Sequence, residues 1–192
     1  SDSEISSTNV KRSLEEVYDN PGTKALILAI NSPGGSPVQS GIINNEINRY
    51  KAIHPEIPVY AVIEDIGASG AYYVAVAADK IFVDKASIVG SIGVLMNGFG
   101  FEEAINKIGI ERRLIISGEN KAILDPFLPI KPKQKDFMQN LLDEVHSQFI
   151  NAVKKGRGNK LKNDPDIFSG LFWSGESAIK LGLADNYGDI DL

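Results

Sequence analysis

The sequence contains no cysteine, only two histidines and a single tryptophan. Without cysteine, the chain has no disulfide and no thiolate to serve as a nucleophile or a metal ligand. Structural zinc sites are built mainly from cysteine and histidine, so this composition argues against one. Disulfide-stapled folds and cysteine proteases are therefore excluded.

The sequence also lacks a long apolar run and a block of positive charge. No apolar stretch approaches the roughly 18–20 residues of a membrane span, and the N-terminal SDSEISSTN lacks the charged-then-apolar pattern of a signal peptide. The net charge of −5 argues against a nucleic-acid-binding face. With 192 residues, 43% of them hydrophobic, we expect one globular domain covering residues 1–192.

Helical periodicity alternates with short apolar runs along most of the chain. The predicted helices lie at 10–18, 38–50, 72–78, 101–107, 137–153 and 175–181, and the predicted strands at 25–30, 59–63, 80–83, 88–95 and 112–116. Strand 25–30 is apolar throughout, so we expect both of its faces to be covered. This alternation predicts an α/β fold with a mostly parallel sheet and crossover helices.

One hydroxyl group stands out among very small residues, in the sequence Gly67-Ala68-Ser69-Gly70-Ala71. Small neighbours let another chain come within contact distance of the Ser69 oxygen. A serine that opens a helix also lies beside unpaired backbone N–H groups, which suits an attacking oxygen and its developing oxyanion. The alternative is an ordinary helix N-cap, since serine is common at that position.

A serine nucleophile needs a base, and the two histidines fit that role poorly. His146 lies at a polar position of the long predicted helix, where we expect a solvated surface side chain. His54 precedes a proline in a predicted loop. A Ser-His-Asp triad is therefore poorly supported.

A neutral lysine is the other known base for a serine nucleophile. Lowering an amine pKa from about 10.4 to about 7 corresponds to roughly 4–5 kcal/mol, so the site must be dry or crowded with donors. Lys121 follows a predicted strand in a glycine-containing loop, where α/β folds tend to place functional groups. Ser91, between small residues, could orient the amine, or it could be a plain buried strand serine. The sequence has no G-x-x-x-x-G-K-[ST] motif for a phosphate-binding loop.

Three segments together resemble the signature of the SppA family, the signal peptide peptidases. They are INSPGG at 30–35, GASGAYY at 67–73 and VGSIGV at 89–94. Further along, LDPFLPIKP, GRGNKLK and FSGLFWSGESAIKLGLAD resemble the same family, so the likeness covers roughly residues 24–188. Members of this family are serine proteases with the ClpP/crotonase-like fold, which the resemblance implies here.

The resemblance also implies roles for individual residues. Ser69 matches the family's nucleophile, Lys121 its general base, and Ser91 a serine that hydrogen-bonds the lysine. The backbone N–H groups of Gly70 and of the Gly34-Gly35 turn match the oxyanion hole, with Gly35 the preferred donor. The implied reaction is acyl transfer through an acyl-enzyme, with no cofactor and no metal.

By resemblance, the substrates are cleaved signal peptides and other apolar or unfolded peptides. The resemblance also implies a homo-oligomer in which Ser69 and Lys121 can meet between protomers. It implies a place at the bacterial inner membrane or its periplasmic face, reached through a segment outside this chain. The polar start departs from the family, which usually has an apolar strand and a membrane anchor there, so we expect a soluble catalytic fragment. Two alternatives are a crotonase-like acyl-CoA enzyme that uses only the oxyanion hole, and a non-catalytic scaffold of the same fold.

Overall fold

The computed structural model describes residues 6–191, which form two compact units. The sheet unit extends up to Gly93 and resumes at His146, and the inserted unit comprises Val94–Val145. Within residues 6–191, no helix is both long enough and apolar enough to cross a lipid bilayer.

The sheet unit is built on one six-stranded sheet. Its strands are β1 Leu26–Ser32, β2 Val59–Ala68, β3 Lys80–Val83, β4 Ile88–Gly90, β5 Phe172–Ser174 and β6 Asn186–Tyr187. The long strand β2 pairs in parallel with β1, β3 and β4, and β3 pairs in parallel with β6. Only β5 is antiparallel, against β4. The prediction of a mostly parallel sheet in an α/β fold is confirmed.

The helices have well-defined starting signals in the sequence. They are α1 Ser7–Tyr18, α2 Pro37–Ile53, α3 Gly70–Ala75, α4 Glu102–Lys107, α5 Pro132–Arg157 and α6 Gly175–Leu181, with short 3₁₀ helices at Gly158–Lys160 and Pro165–Phe168. The side-chain oxygens of Ser6, Ser36 and Ser174 each accept a backbone N–H and so cap α1, α2 and α6. Helix α5 begins in the inserted unit and ends in the sheet unit.

The core of the sheet unit fixes the segment that follows Ser69. Tyr72 on α3 is fully buried, and its hydroxyl donates a hydrogen bond of 2.7 Å to the carbonyl oxygen of Leu183. Ile63 on β2 and Val153 on α5 belong to the same buried cluster. Burial of these apolar side chains holds the junction between β2 and α3 in one conformation.

The inserted unit contains α4, the first part of α5 and turns. The Phe101 N–H donates to the Pro126 carbonyl oxygen at 2.6 Å, and Arg112 pairs with Asp125 at 2.7 Å. The Phe101 ring lies 5.9 Å from that of Phe127. All residues from 94 to 145 are described, and none of them is buried.

Four local predictions need correction. Strand β1 is not covered on both faces, because the side chain of Ile27 is 47% exposed. Among residues 6–191, β1 is also an edge strand that pairs with β2 alone. Strand β4 ends at Gly90 instead of Leu95, because Gly90 and Ser91 have φ of 108° and 51°, which an extended strand does not accommodate. Residues 112–116 form no strand and are all exposed, and α3 ends at Ala75 instead of continuing to 78.

Candidate functional site

Ser69 lies at the carboxyl end of β2, immediately before α3. It has φ 53° and ψ −124°, a conformation that is sterically unfavourable for a residue with a Cβ and costs on the order of 1–3 kcal/mol. Two backbone bonds hold it there: its N–H donates to the Gly90 carbonyl oxygen at 2.8 Å, and its own carbonyl accepts the Tyr73 N–H at 3.0 Å. The surrounding structure therefore fixes a strained serine at a strand-to-helix turn.

The Ser69 side chain does not cap helix α3. Its hydroxyl makes no capping hydrogen bond to α3 within the described chain, whereas the serines that precede α1, α2 and α6 all make one. Ser69 is half-buried, so its oxygen is still accessible. The N-cap alternative therefore leaves this hydroxyl unexplained.

The Gly34-Gly35 turn packs directly against Ser69 and Gly70. A Cβ on Gly34 would lie 2.7 Å from the Ser69 Cβ and 3.0 Å from the Gly70 nitrogen, and Gly34 has φ 120°. Only glycine permits this approach and this backbone conformation. The turn after β1 and the turn after β2 thus meet, as expected for neighbouring parallel strands.

The N–H groups of these glycines differ in what they bond. The Gly34 N–H donates to Ser32 Oγ at 3.2 Å. Within residues 6–191, the N–H groups of Gly35 and Gly70 donate no hydrogen bond. Two backbone donors beside a serine hydroxyl suit the charge of a tetrahedral oxyanion. This pattern favours Gly35 over Gly34 as an oxyanion donor. Gly35 is also the donor preferred from the sequence, and its role stays a prediction.

Ser91 occupies the equivalent position after the neighbouring strand. Ala68 on β2 and Gly90 on β4 are paired, so Ser69 and Ser91 each directly follow a paired residue. The Ser91 N–H donates to the Leu171 carbonyl oxygen at 2.7 Å, and the side chain is half-buried. The structure therefore brings Ser69, Ser91 and the three glycines to one edge of the sheet.

Lys121 belongs to the inserted unit. It is exposed in a turn, where its N–H donates to the Gly118 carbonyl oxygen at 3.0 Å. No strand precedes it, which removes the local argument that singled it out from the sequence. A pairing of Lys121 with Ser69 stays a prediction that rests on the family resemblance.

Both histidines have structural contacts of their own. His146 is half-buried and not the solvated surface residue predicted, because its Nε2 lies 3.0 Å from the Ile92 carbonyl oxygen. A carbonyl oxygen only accepts, so Nε2 carries the hydrogen and is not free to take a proton. His54 is the C-cap residue of α2, at the start of the predicted loop, and its ring stacks on that of Tyr18 with the ring centres 5.2 Å apart. Neither histidine hydrogen-bonds Ser69 in the described chain.

The sequence interpretation missed Ser32, which holds the Gly34 N–H, and Ser40 on α2. A signal for Ser40 was present, since it occupies a buried stripe with Ile43, Ile47 and Tyr50 where a polar residue is unexpected. Among the residues that the structure describes, no group of three acidic or histidine side chains is placed to hold a metal ion.

Comparison with known proteins gives the family. The model of peptidase family S49 matches residues 51–192, a range that includes Ser69, Ser91 and Lys121. A putative signal peptide peptidase SppA from Enterococcus faecium is 28% identical over 180 residues, which cover 94% of this chain and 52% of that protein. These matches confirm the resemblance to the SppA family.

A second relative has a different name. The Na⁺/H⁺ antiporter NhaA of Brucella melitensis is 46% identical over 177 residues, which cover 92% of this chain and 24% of that protein. The name belongs to the whole Brucella protein, and the matched segment makes up only 24% of its length. The chain spans no more than about half the length of either relative.

Among solved structures, a ClpP1 variant from Listeria monocytogenes has a TM-score of 0.58 at 12% identity. The match covers 95% of this chain and 84% of that one, and it confirms the ClpP/crotonase-like fold. Fold, motifs and family model agree, and the chain belongs to peptidase family S49.

Proposed function

We propose that this chain is the catalytic domain of a serine endopeptidase, with Ser69 as the nucleophile. The observation that carries this proposal is the strained turn that holds Ser69, whose hydroxyl does not cap α3. Beside it are the N–H groups of Gly35 and Gly70, which donate no hydrogen bond within residues 6–191. Membership of family S49 supports the same chemistry. We treat residues 1–192 as a single peptidase domain.

In the proposed reaction, neutral Lys121 accepts the Ser69 proton as the serine oxygen attacks a peptide carbonyl carbon. The N–H groups of Gly35 and Gly70 donate to the resulting oxyanion, and Ser91 orients the amine. Collapse of the tetrahedral intermediate releases the amine product, which takes the proton from Lys121. A water molecule activated by the lysine then hydrolyses the acyl-enzyme.

The proposed substrates are cleaved signal peptides and other apolar or unfolded peptides. Support comes from the relative named as a signal peptide peptidase. The proposed location is the inner membrane or its periplasmic face, through sequence outside this chain.

We further propose a homo-oligomer in which Lys121 of one copy approaches Ser69 of another. The support is the inserted unit, which carries Lys121, has no buried residue and exposes many large apolar side chains, among them Leu95, Phe99 and Ile115. Apolar surface of this extent marks an interaction site more often than free solvent-facing surface.

A fluorophosphonate probe tests the nucleophile. Wild type should be labelled at Ser69, as located by mass spectrometry, and should hydrolyse an apolar peptide. S69A should lose labelling and at least about 10³-fold in kcat/KM, while S147A, at an exposed serine, should keep both. Labelling of another residue that persists in S69A would refute the proposal and favour the acyl-CoA or scaffold alternatives.

The same assay tests the shared site. S69A and K121A should each be inactive, and mixing them should restore part of the activity, because one interface then holds both intact residues. Activity that stays absent after subunit exchange has been verified would place the dyad within one copy.

A further inference from the structure

Ser40 is the fourth residue of α2 and is only 7% exposed. The other buried side chains of that helix are Ile43, Asn44, Ile47 and Tyr50. The Asn44 amide is satisfied, since it donates to the Tyr73 carbonyl oxygen at 2.8 Å. Ser40 therefore places one more polar group in a stripe that otherwise packs into the core.

The Ser40 hydroxyl points at the backbone of Gly70. Its Oγ lies 2.5 Å from the position that a Cβ on Gly70 would occupy, and the Gly35 nitrogen lies 3.1 Å from that same position. The hydroxyl is thus beside the two backbone donors proposed for the oxyanion hole. Its place on a long capped helix, and not on a loop, gives it a fixed direction.

Within residues 6–191, no residue accepts a hydrogen bond from the Ser40 hydroxyl, and Ser40 Oγ is not one of the fully enclosed side-chain atoms that lack a partner. The backbone N–H of Ser40 donates to the Ser36 carbonyl oxygen at 3.0 Å. A hydroxyl on a largely buried side chain usually finds a hydrogen-bond partner in the protein or in ordered water. By contrast, the buried hydroxyl of Ser87 is bonded to the Ile63 and Glu64 carbonyl oxygens. The Ser40 hydroxyl is therefore directed at the site, and no residue from 6 to 191 accepts a hydrogen bond from it.

We propose that the Ser40 hydroxyl is a third donor to the carbonyl oxygen of the substrate. It joins the N–H groups of Gly35 and Gly70 as charge develops on that oxygen, and no proton is transferred. This role rests on the proposed peptidase function and adds a side-chain donor to a hole otherwise made of backbone. A Cβ at position 70 would lie 2.5 Å from Ser40 Oγ and would displace the hydroxyl from this position.

The test compares S40A with S147A, the exposed serine control. Turnover is expressed per Ser69 titrated by the fluorophosphonate probe, so that misfolded protein does not count. S40A should lower kcat about 10–100-fold with KM changed less than about threefold, in line with the loss of an oxyanion donor. Its melting temperature should not fall, because the deleted hydroxyl bonds no residue of the described chain.

A second measurement uses a peptide aldehyde, whose adduct with Ser69 carries a tetrahedral oxygen. S40A should weaken aldehyde inhibition by about the same factor as kcat and leave binding of the product peptide unchanged. Equal weakening of product and aldehyde, or a kcat within threefold of wild type, would overturn the role of Ser40. If Ser69 is not labelled in wild type, the proposed function itself fails, and the two failures are distinguishable.

Discussion

Gly34 and Gly35 are neighbours in one turn, yet a side chain would meet different surroundings at each. A Cβ on Gly34 would collide with the Ser69 Cβ, and its φ of 120° disfavours any other residue. A Cβ on Gly35 would have no atom within 4 Å. Gly34 is therefore required for steric reasons, whereas Gly35 is proposed to contribute through its backbone N–H group.

This difference makes the two alanine substitutions a matched pair. G34A should destabilise the fold by about 2 kcal/mol or more, from overpacking and backbone strain, and should slow fluorophosphonate labelling of Ser69. G35A should keep the urea midpoint of wild type and remain labelled, because its N–H is retained. Equal behaviour of the two variants would mean that the Gly34 contact with Ser69 is not what shapes the site.

At the residue scale, short sequence motifs predicted those parts of the candidate site that depend only on neighbouring residues in the chain. The clustering of Ser69 with Gly34, Gly35 and Gly70 follows from two local turns at the ends of paired strands. The contact of His146 with Ile92 joins residues 54 positions apart, and helical periodicity gave no hint of it. Helical periodicity places Ser40 on the buried face of α2, but its approach to Gly70 depends on how α2 packs against the sheet unit.

At the level of elements, the helices were predicted well because their signals are local. Three of them start at a serine that accepts a backbone N–H, and α6 ends at Gly182 with φ 78°. Strands β5 and β6 were missed because they have only three and two residues, so pairing with distant strands defines them. The segment 112–116 has strand-like composition but finds no partner strand in the described chain.

One ionic cluster fixes the end of α5 against the turn that follows α6. The carboxylate of Asp185 accepts hydrogen bonds from buried Arg157 at 2.8 Å and from the Ile81 N–H at 2.8 Å, and pairs with Lys160 at 2.7 Å. Burial alone would raise the pKa of Asp185, but the hydrogen bonds from Arg157, Lys160 and Ile81 outweigh it and lower the pKa to about 2. The carboxylate thus stabilises the fold only while it is ionised.

D185N should lower the free energy of unfolding at neutral pH by about 3 kcal/mol, because it leaves the Arg157 guanidinium buried without its counter-ion. The folded-state pKa is depressed, so this stabilisation is present above the unfolded pKa, near 3.9, and is lost as pH falls towards 2. Urea unfolding at several pH values should show that the difference in unfolding free energy between wild type and D185N shrinks as pH falls from about 4 towards 2.

The control is E176Q, which removes the exposed pair of Glu176 with Lys180 and should leave the urea midpoint unchanged. A stability difference between D185N and wild type that stays constant from pH 5 to pH 2 would contradict the role assigned to the Asp185 carboxylate.

For the whole molecule, the sequence predicted the α/β class and the family, because the alternation of elements and the ordered motifs span most of the chain. It did not predict that residues 94–145 form a separate compact unit without a buried core. Apolar residues in a sequence do not reveal whether they are buried within their own unit or exposed on its surface. Lys121, the proposed base, lies in this unit, so the catalytic proposal depends on what the unit contacts in the assembly.

The most direct test of the Ser69–Lys121 mechanism is the pH dependence of kcat/KM for peptide hydrolysis by wild type and K121A. We predict a rise governed by a single ionisation in wild type, since the base must lose one proton to act. K121A should lose at least about 10³-fold and show no such rise, while K107A, at an exposed lysine of the same unit, should match wild type. A K121A profile that keeps the wild-type rate, or the same single-proton rise, would contradict the mechanism.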